Sequence, residues 1–121
     1  MKKRILVVED TEDNRQILRD LLTAAGYDII EATDGATGVA MAADQHPDLI
    51  LMDIQLPVID GYEATRRIKA DPTTRHIPIV AVTSYALAGD ETKTREAGCD
   101  GYIAKPYSPR NLLEKVRGFL A

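Results

Sequence analysis

The stretch RILVVED, residues 4–10, joins two things that seldom sit together. Ile5, Leu6, Val7 and Val8 form an apolar run of the kind found in buried strands, yet the run ends in adjacent carboxylates, Glu9 and Asp10. Two anions at the end of a core strand repel each other and lose hydration, so a partner must offset that cost. Similar short runs recur along the chain: DIIEA at 28–32, DLILM at 48–52, IPIVAV at 77–82 and GYIA at 101–104. LILM and IVAV are apolar on both sides, as suits strands covered on both faces. The segments between these runs carry helical spacing, and the alternation of strand and helix predicts an α/β fold, a doubly wound five-stranded parallel sheet with helices on both faces. In such sheets the ligand crevice lies outside the carboxyl ends of the strands.

The first helical segment presents Ile17, Leu18, Leu21, Leu22 and Ala25 as one apolar stripe, with Gly26 as its stop. The last presents Leu112, Leu113, Val116, Phe119 and Leu120, opened by Ser108 as N-cap and Pro109 at the first helical position. Helices are also expected over about 35–45, poor in large apolar residues, and over 61–70, starting after Asp60-Gly61. Residues 88–97 are the least amphipathic, which predicts a weakly packed, mobile helix. Asp34-Gly35 is a turn signal, and Asp60-Gly61 is read as a turn and helix start rather than a ligand.

With 121 residues the chain is expected to form one domain, 1–121, able to bury a single core. Fifteen Lys and Arg against 19 Asp and Glu leave a net charge of -4, and without a basic stripe this disfavours a nucleic-acid partner. There is no tryptophan and one phenylalanine, so stability must come from aliphatic packing. Cys99 has no partner for an internal disulfide, and no apolar stretch approaches the roughly 20 residues of a membrane span. The basic start is followed by too short an apolar run for a secretory signal, so a reduced, cytoplasmic protein without membrane contact is expected.

The residues at the strand ends are Glu9 and Asp10, then Asp53, Thr83 and Lys105. If the sheet is parallel, three carboxylates, a hydroxyl and an amine converge at one end. Hard oxygen donors without clustered Cys or His select Mg²⁺ or a similar ion such as Mn²⁺. Such a cation would offset the Glu9-Asp10 repulsion and prepare the site for phosphoryl chemistry. Taken singly, each residue has a plainer reading. Asp53 alone would pass as a turn residue, Asp10 as a cap for the helix starting near Glu12, Thr83 as an ordinary strand-end threonine and Lys105 as a solvated lysine. It is their company that argues otherwise.

VVED at 7–10, LILMDIQLPVIDGYE at 49–63, VAVTSYA at 80–86 and GYIAKP at 101–106 together resemble the response-regulator receiver domains of two-component signalling, over essentially the whole chain. Within that family the match is with single-domain regulators. The resemblance implies a flavodoxin-like fold of strand order 2-1-3-4-5. It also implies that Asp53 accepts a phosphoryl group from a histidine kinase or histidine phosphotransfer protein. Asp10 would ligate the metal directly, Glu9 would hold the metal or its waters, and the main-chain carbonyl of Gln55 would complete the set. Lys105 would pair with phosphoryl oxygens, and Thr83 would hydrogen-bond one of them. Movement of Thr83 would free space for Tyr102 to rotate, so that Thr83 and Tyr102 form a switch. Pro106 resembles the family's cis-proline. Gln55 and Tyr85 fall where the family tunes dephosphorylation, and the surface around Tyr85, Leu87, Tyr102 and Tyr107 is expected to change on phosphorylation.

No output domain is expected beyond residue 121, so the downstream target is expected to be a protein that binds the face made by the fourth helix, fifth strand and fifth helix. Catalysis would be limited to self-phosphorylation and self-dephosphorylation, so the chain is not expected to be an enzyme in the usual sense. Three rival functions fit these residues less well. A haloacid-dehalogenase-like phosphatase needs a second acid two residues after its nucleophile, where this chain has Gln55. A flavodoxin-like binding module needs a phosphate-cradling loop, and VVEDTEDN would repel a phosphate. A docking module independent of phosphorylation would have no use for the intact acid and lysine set. His46 and His76, beside prolines, are expected on the surface, and Cys99 as a buried or half-buried thiol.

Overall fold

The computed structural model describes residues 2–83 and 90–120. Among these residues five strands and five helices alternate: β1 Arg4–Val8, α1 Glu12–Ala24, β2 Asp28–Ala32, α2 Gly35–Gln45, β3 Leu49–Asp53, α3 Gly61–Ala70, β4 Ile79–Thr83, α4 Asp90–Ala97, β5 Gly101–Ala104 and α5 Pro109–Leu120. The sheet is parallel throughout in the order β2-β1-β3-β4-β5.

Side-chain alternation along each strand divides the core into two layers. Ile5, Val7, Leu49, Leu51, Val80 and Val82 face Leu18 and Leu22 of α1 and Leu112 and Val116 of α5. Leu6, Val8, Ile50, Met52 and Ile79 face Ala42 of α2 and Ala64 and Ile68 of α3. The central strands β3 and β4 are buried at every residue, as their apolar composition requires.

The expected strand bounds shift slightly. β3 runs 49–53 rather than 48–52, and β4 runs 79–83 rather than 77–82. Pro78 has no N–H for the ladder, and its carbonyl only receives Ile50 N at 3.0 Å, so regular pairing starts one residue later. Asp53 and Thr83 thereby end their strands instead of following them, each fixed by the ladder opposite Val82 and Ala104.

The stripe expected on α1 is corrected at Ile17, which is 50% exposed while Leu18 is 3% exposed. Successive residues on a helix diverge by about 100°, and it is Leu18 and Leu22 that point at the sheet. Gly26 ends this helix with φ of 97°, a conformation that favours glycine. α2 begins at Asp34, whose side chain accepts Thr37 N, and ends at His46 with φ of 47°. That exposed histidine therefore serves as the left-handed cap before Pro47. In α5, Ser108 Oγ accepts Asn111 N at 3.0 Å, as the cap reading required. α4 buries only small residues among those described, Thr94 and Ala97. Tyr85, Leu87 and the start of the helix expected over 88–97 lie outside the described residues.

Candidate functional site

The register brings the strand-end residues together. Val8 pairs with both Ala32 and Met52, so Glu9 follows β1 at the level where Asp53 closes β3. Asp60 then caps α3 by accepting Glu63 N, confirming its structural role, and the chain returns so tightly that Gly61 lies against the Asp53 carbonyl. A Cβ at Gly61 would stand 2.7 Å from Ile54 Cα, too close for any other residue without moving the acid-bearing strand end.

Glu9 is 2% exposed and Asp53 5%, and one cation serves both. Lys105 Nζ donates to Glu9 Oε1 at 2.9 Å and stands 3.5 Å from Asp53 Oδ2. The other Glu9 oxygen accepts Thr11 N at 3.2 Å, and Asp53 Oδ1 accepts Gln55 N at 3.0 Å. Burial pulls the Lys105 ammonium down, but the hydrogen bond to Glu9 and the charges of Asp53 and Glu9 outweigh it, so its pKa lies above the ordinary lysine value. The lysine is thus held protonated between two buried acids, part of the compensation that RILVVED demanded.

Asp10 is exposed beside them. A hydrogen bond with Glu9, then burial, then the Glu9 charge raise its carboxyl above the usual range, despite Lys105 nearby. Glu9, Asp10 and Asp53 each offer an oxygen within 4.8 Å of the others. Three hard anionic donors in that space, one of them resisting ionisation because of its neighbour, fit a Mg²⁺-type cation. Asp10 is not the helix cap of the plainer reading, since Thr11 occupies the N-cap of α1.

The remaining predicted residues lie around this group. Gln55 follows in the loop after β3 and is exposed. Thr83 is fully buried at the end of β4, and its carbonyl accepts Lys105 N at 2.6 Å. The Lys105-Pro106 peptide is cis. Tyr102 pairs across from Ala81 on the edge strand β5 and is half-buried. It lines a groove of about 730 Å³ with Tyr107, Lys115 and Phe119. His46 and His76 are exposed, and Cys99 is half-buried, its Sγ 3.7 Å from the Thr65 hydroxyl.

Three features were not legible from spacing. Arg15 of α1 donates to the Glu9 carbonyl at 2.8 Å, pairs with Glu12, and lies 3.4 Å from Glu31 of β2. Ile17 joins Asn14, Lys105, Pro106 and Tyr107 around a second cleft of about 470 Å³ beside the site. Burial, with the Glu9 charge, pushes the Tyr107 phenol up to about 12. The two arginines Arg15 and Arg19, four apart on a helix with acids nearby, were the available hint, but helical spacing cannot say that one of them reaches back to a strand end.

Comparison with known proteins agrees with this architecture. The family model for the response regulator receiver domain matches residues 5–117. Proteins described as the polar-differentiation response regulator DivK from Brucella ovis and Brucella abortus are 45% identical over 99% of this chain and 98% of their own length. A crystallised receiver domain of a sensor histidine kinase from Pseudomonas aeruginosa PAO1, with a magnesium ion coordinated in its active site cleft, superposes with a TM-score of 0.93 at 38% identity, covering 99% of this chain and 98% of that one. A putative response regulator from Chloroflexus aurantiacus reaches a TM-score of 0.95 at 30% identity, with 99% and 98% covered.

Proposed function

The chain belongs to the response regulator receiver domain family of two-component signalling, and from that premise we propose that Asp53 accepts a phosphoryl group from the phosphohistidine of a kinase or phosphotransfer protein. The observation that carries this is the shared lysine: Lys105 Nζ lies 2.9 Å from Glu9 and 3.5 Å from Asp53, beside a third carboxylate at Asp10. An Asp53 oxygen attacks phosphorus, the O–P bond forms as the donor N–P bond breaks, and the electron pair returns to the imidazole nitrogen. Asp10, Glu9, Asp53 and the Gln55 carbonyl would hold Mg²⁺, with Mn²⁺ as a chemically similar substitute. A bound ion of this kind supplies positive charge against the phosphoryl oxygens.

Lys105 then exchanges its carboxylate partner for a phosphoryl oxygen, acting as a point charge on a flexible stem. Thr83 donates its hydroxyl to a second oxygen, and Tyr102 follows the space it leaves. The consequence is a changed surface on α4, β5 and α5, where the groove lined by Tyr102, Tyr107, Glu114, Lys115 and Phe119 offers a downstream protein a seat of aromatic and charged side chains. Self-phosphorylation from small phosphodonors and self-dephosphorylation, tuned at Gln55 and Tyr85, are the chemistry of the same site. The phosphatase and docking-only alternatives are not favoured by family membership. No described helix is long and apolar enough to cross a membrane.

The test is intact-protein mass after incubation with acetyl phosphate, with Mg²⁺ or with chelator. We expect one added phosphoryl group on wild type that requires Mg²⁺ and is absent from Asp53→Asn. A folded, Mg²⁺-binding wild type that gains no mass, or an adduct that survives Asp53→Asn, would refute the assignment.

A further inference from the structure

Asp10 is exposed, so little besides its hydrogen bond with Glu9 aims its carboxylate, and its direction depends largely on the peptide that carries it. The backbone is held on both sides of the Glu9 Cα. Glu9 N donates to Ala32 O of β2 at 3.0 Å, and the Glu9 carbonyl, which belongs to the Glu9-Asp10 peptide plane, accepts Arg15 Nη1 at 2.8 Å. The Arg15 side chain is 12% exposed, too enclosed for a solvated surface charge, and its remaining nitrogens meet Glu12 of α1 and Glu31 of β2. Arg19 binds the same two acids, at 2.8 Å to Glu31 and 3.3 Å to Glu12.

We propose that Arg15 is a positioning residue for the cation site: its guanidinium, anchored on Glu12 and Glu31, holds the Glu9-Asp10 peptide in the orientation that presents Asp10 to the metal. The proposal rests on the phosphoacceptor reading above. The planar fork of arginine suits the role, because it donates in several fixed directions at once. Two arginines and two glutamates cancel in charge, so the cluster acts on the site through geometry. Groups outside the ligand set that orient it commonly govern metal affinity.

Geometry and charge make opposite predictions. If Arg15 were only a nearby cation, removing it would leave the site more negative and tighten Mg²⁺ binding. If it positions Asp10, removing it weakens binding. The experiment is a Mg²⁺ titration of the full chain, followed by the ¹⁵N–¹H shifts of Asp10, Asp53 and their neighbours, for wild type, Arg15→Met and Arg19→Met. Arg19→Met removes the same charge from the same cluster without touching the Glu9 carbonyl.

We expect Arg15→Met to raise the Kd by about tenfold or more, the range typical of lost orienting contacts, while Arg19→Met leaves it unchanged or lower. Should Arg15→Met fail to fold, Arg15→Lys keeps the charge but loses the fork that reaches Glu12, Glu31 and the Glu9 carbonyl together, and a raised Kd is expected there too. An Arg15→Met protein, or in its place Arg15→Lys, that binds Mg²⁺ as tightly as wild type or more tightly would overturn the role. A wild type without Mg²⁺-dependent shifts would overturn the cation site itself, an outcome distinct from loss of the role of Arg15 alone.

Discussion

Glu9 shows why a buried carboxylate needs more than one partner. At 2% exposure it has lost nearly all its water, and Lys105 Nζ and Thr11 N supply one bond to each of its oxygens. Lys105→Ala would leave Glu9 with the Thr11 amide and its contact with Asp10, and both Glu9 and Asp53 without their shared cation. We expect a loss of about 1–3 kcal/mol in metal-free urea unfolding, the cost of stranding a buried polar group. The same substitution in a Glu9→Gln background should cost measurably less, since the two residues share one interaction. Equal costs in both backgrounds would mean that the contact carries no coupling. Cys99 makes a second residue-level case. Burial first, then the Asp100 charge, raise its thiol above the ordinary value, against the opposing hydrogen bond from Thr65. A raised acid pKa means that the thiolate is penalised in the fold. Stability is therefore unaffected below the unfolded thiol pKa and falls as pH climbs from it towards the folded one. Iodoacetamide should label folded Cys99 far more slowly than the urea-unfolded chain at pH 8, and Cys99→Ala should lessen the alkaline loss of melting temperature. Equal labelling rates would contradict the burial.

At the scale of the element, α1 does two jobs on different faces. Leu18 and Leu22 enter the core, while Arg15 reaches to the strand end and Ile17 opens onto the cleft beside Lys105 and Pro106. The apolar spacing of Ile17, Leu18, Leu21 and Leu22 treats these side chains alike, yet the structure separates them. Leu18→Ala should therefore cost about 2–5 kcal/mol, as expected for a cavity in a close-packed core. Ile17→Ser should stay within about 0.5 kcal/mol, as for surface positions generally. Chemical denaturation of both variants checks this, and similar losses for the two would place Ile17 in the core after all. α4 shows the reverse case, where a weakly amphipathic sequence matches a helix that buries only small side chains among those described.

For the whole molecule, the parallel sheet is the frame on which the site depends. β1, β3 and β4 are paired on both edges, whereas β2 and β5 each have one neighbour. Opening of the central strands requires the disruption of both core layers, so their amides should exchange only through global unfolding. In hydrogen–deuterium exchange we expect Val7, Leu51 and Val80 to be the slowest, with Ile30 of β2 and Ile103 of β5 faster. Uniform protection across all five strands would show that the edges open only with the centre. The chain order crosses over between β1 and β3, which leaves Glu9, Asp10 and Asp53 on adjacent strand ends where a ligand crevice forms.

The sequence by itself determined the class of fold and the grouping of three acids and a lysine at the strand ends. Five apolar runs alternating with helical segments allow few arrangements other than a doubly wound parallel sheet, and strand-end residues in such a sheet must share one edge. Glu9, Asp10, Asp53, Thr83 and Lys105 could be named on that ground because local periodicity identifies where each strand stops. What only the tertiary structure decided are choices between elements distant in the chain. Lys105 bonds Glu9, 96 residues away, more closely than Asp53, and that preference depends on the relative placement of β1, β3 and β5. The exposure of Ile17 depends on how α1 is rotated over the sheet, and the reach of Arg15 depends on where that rotation leaves its guanidinium. Periodicity specifies which face of an element is apolar, but the rotation and distance at which two elements meet come from side-chain packing between them, which no single segment encodes.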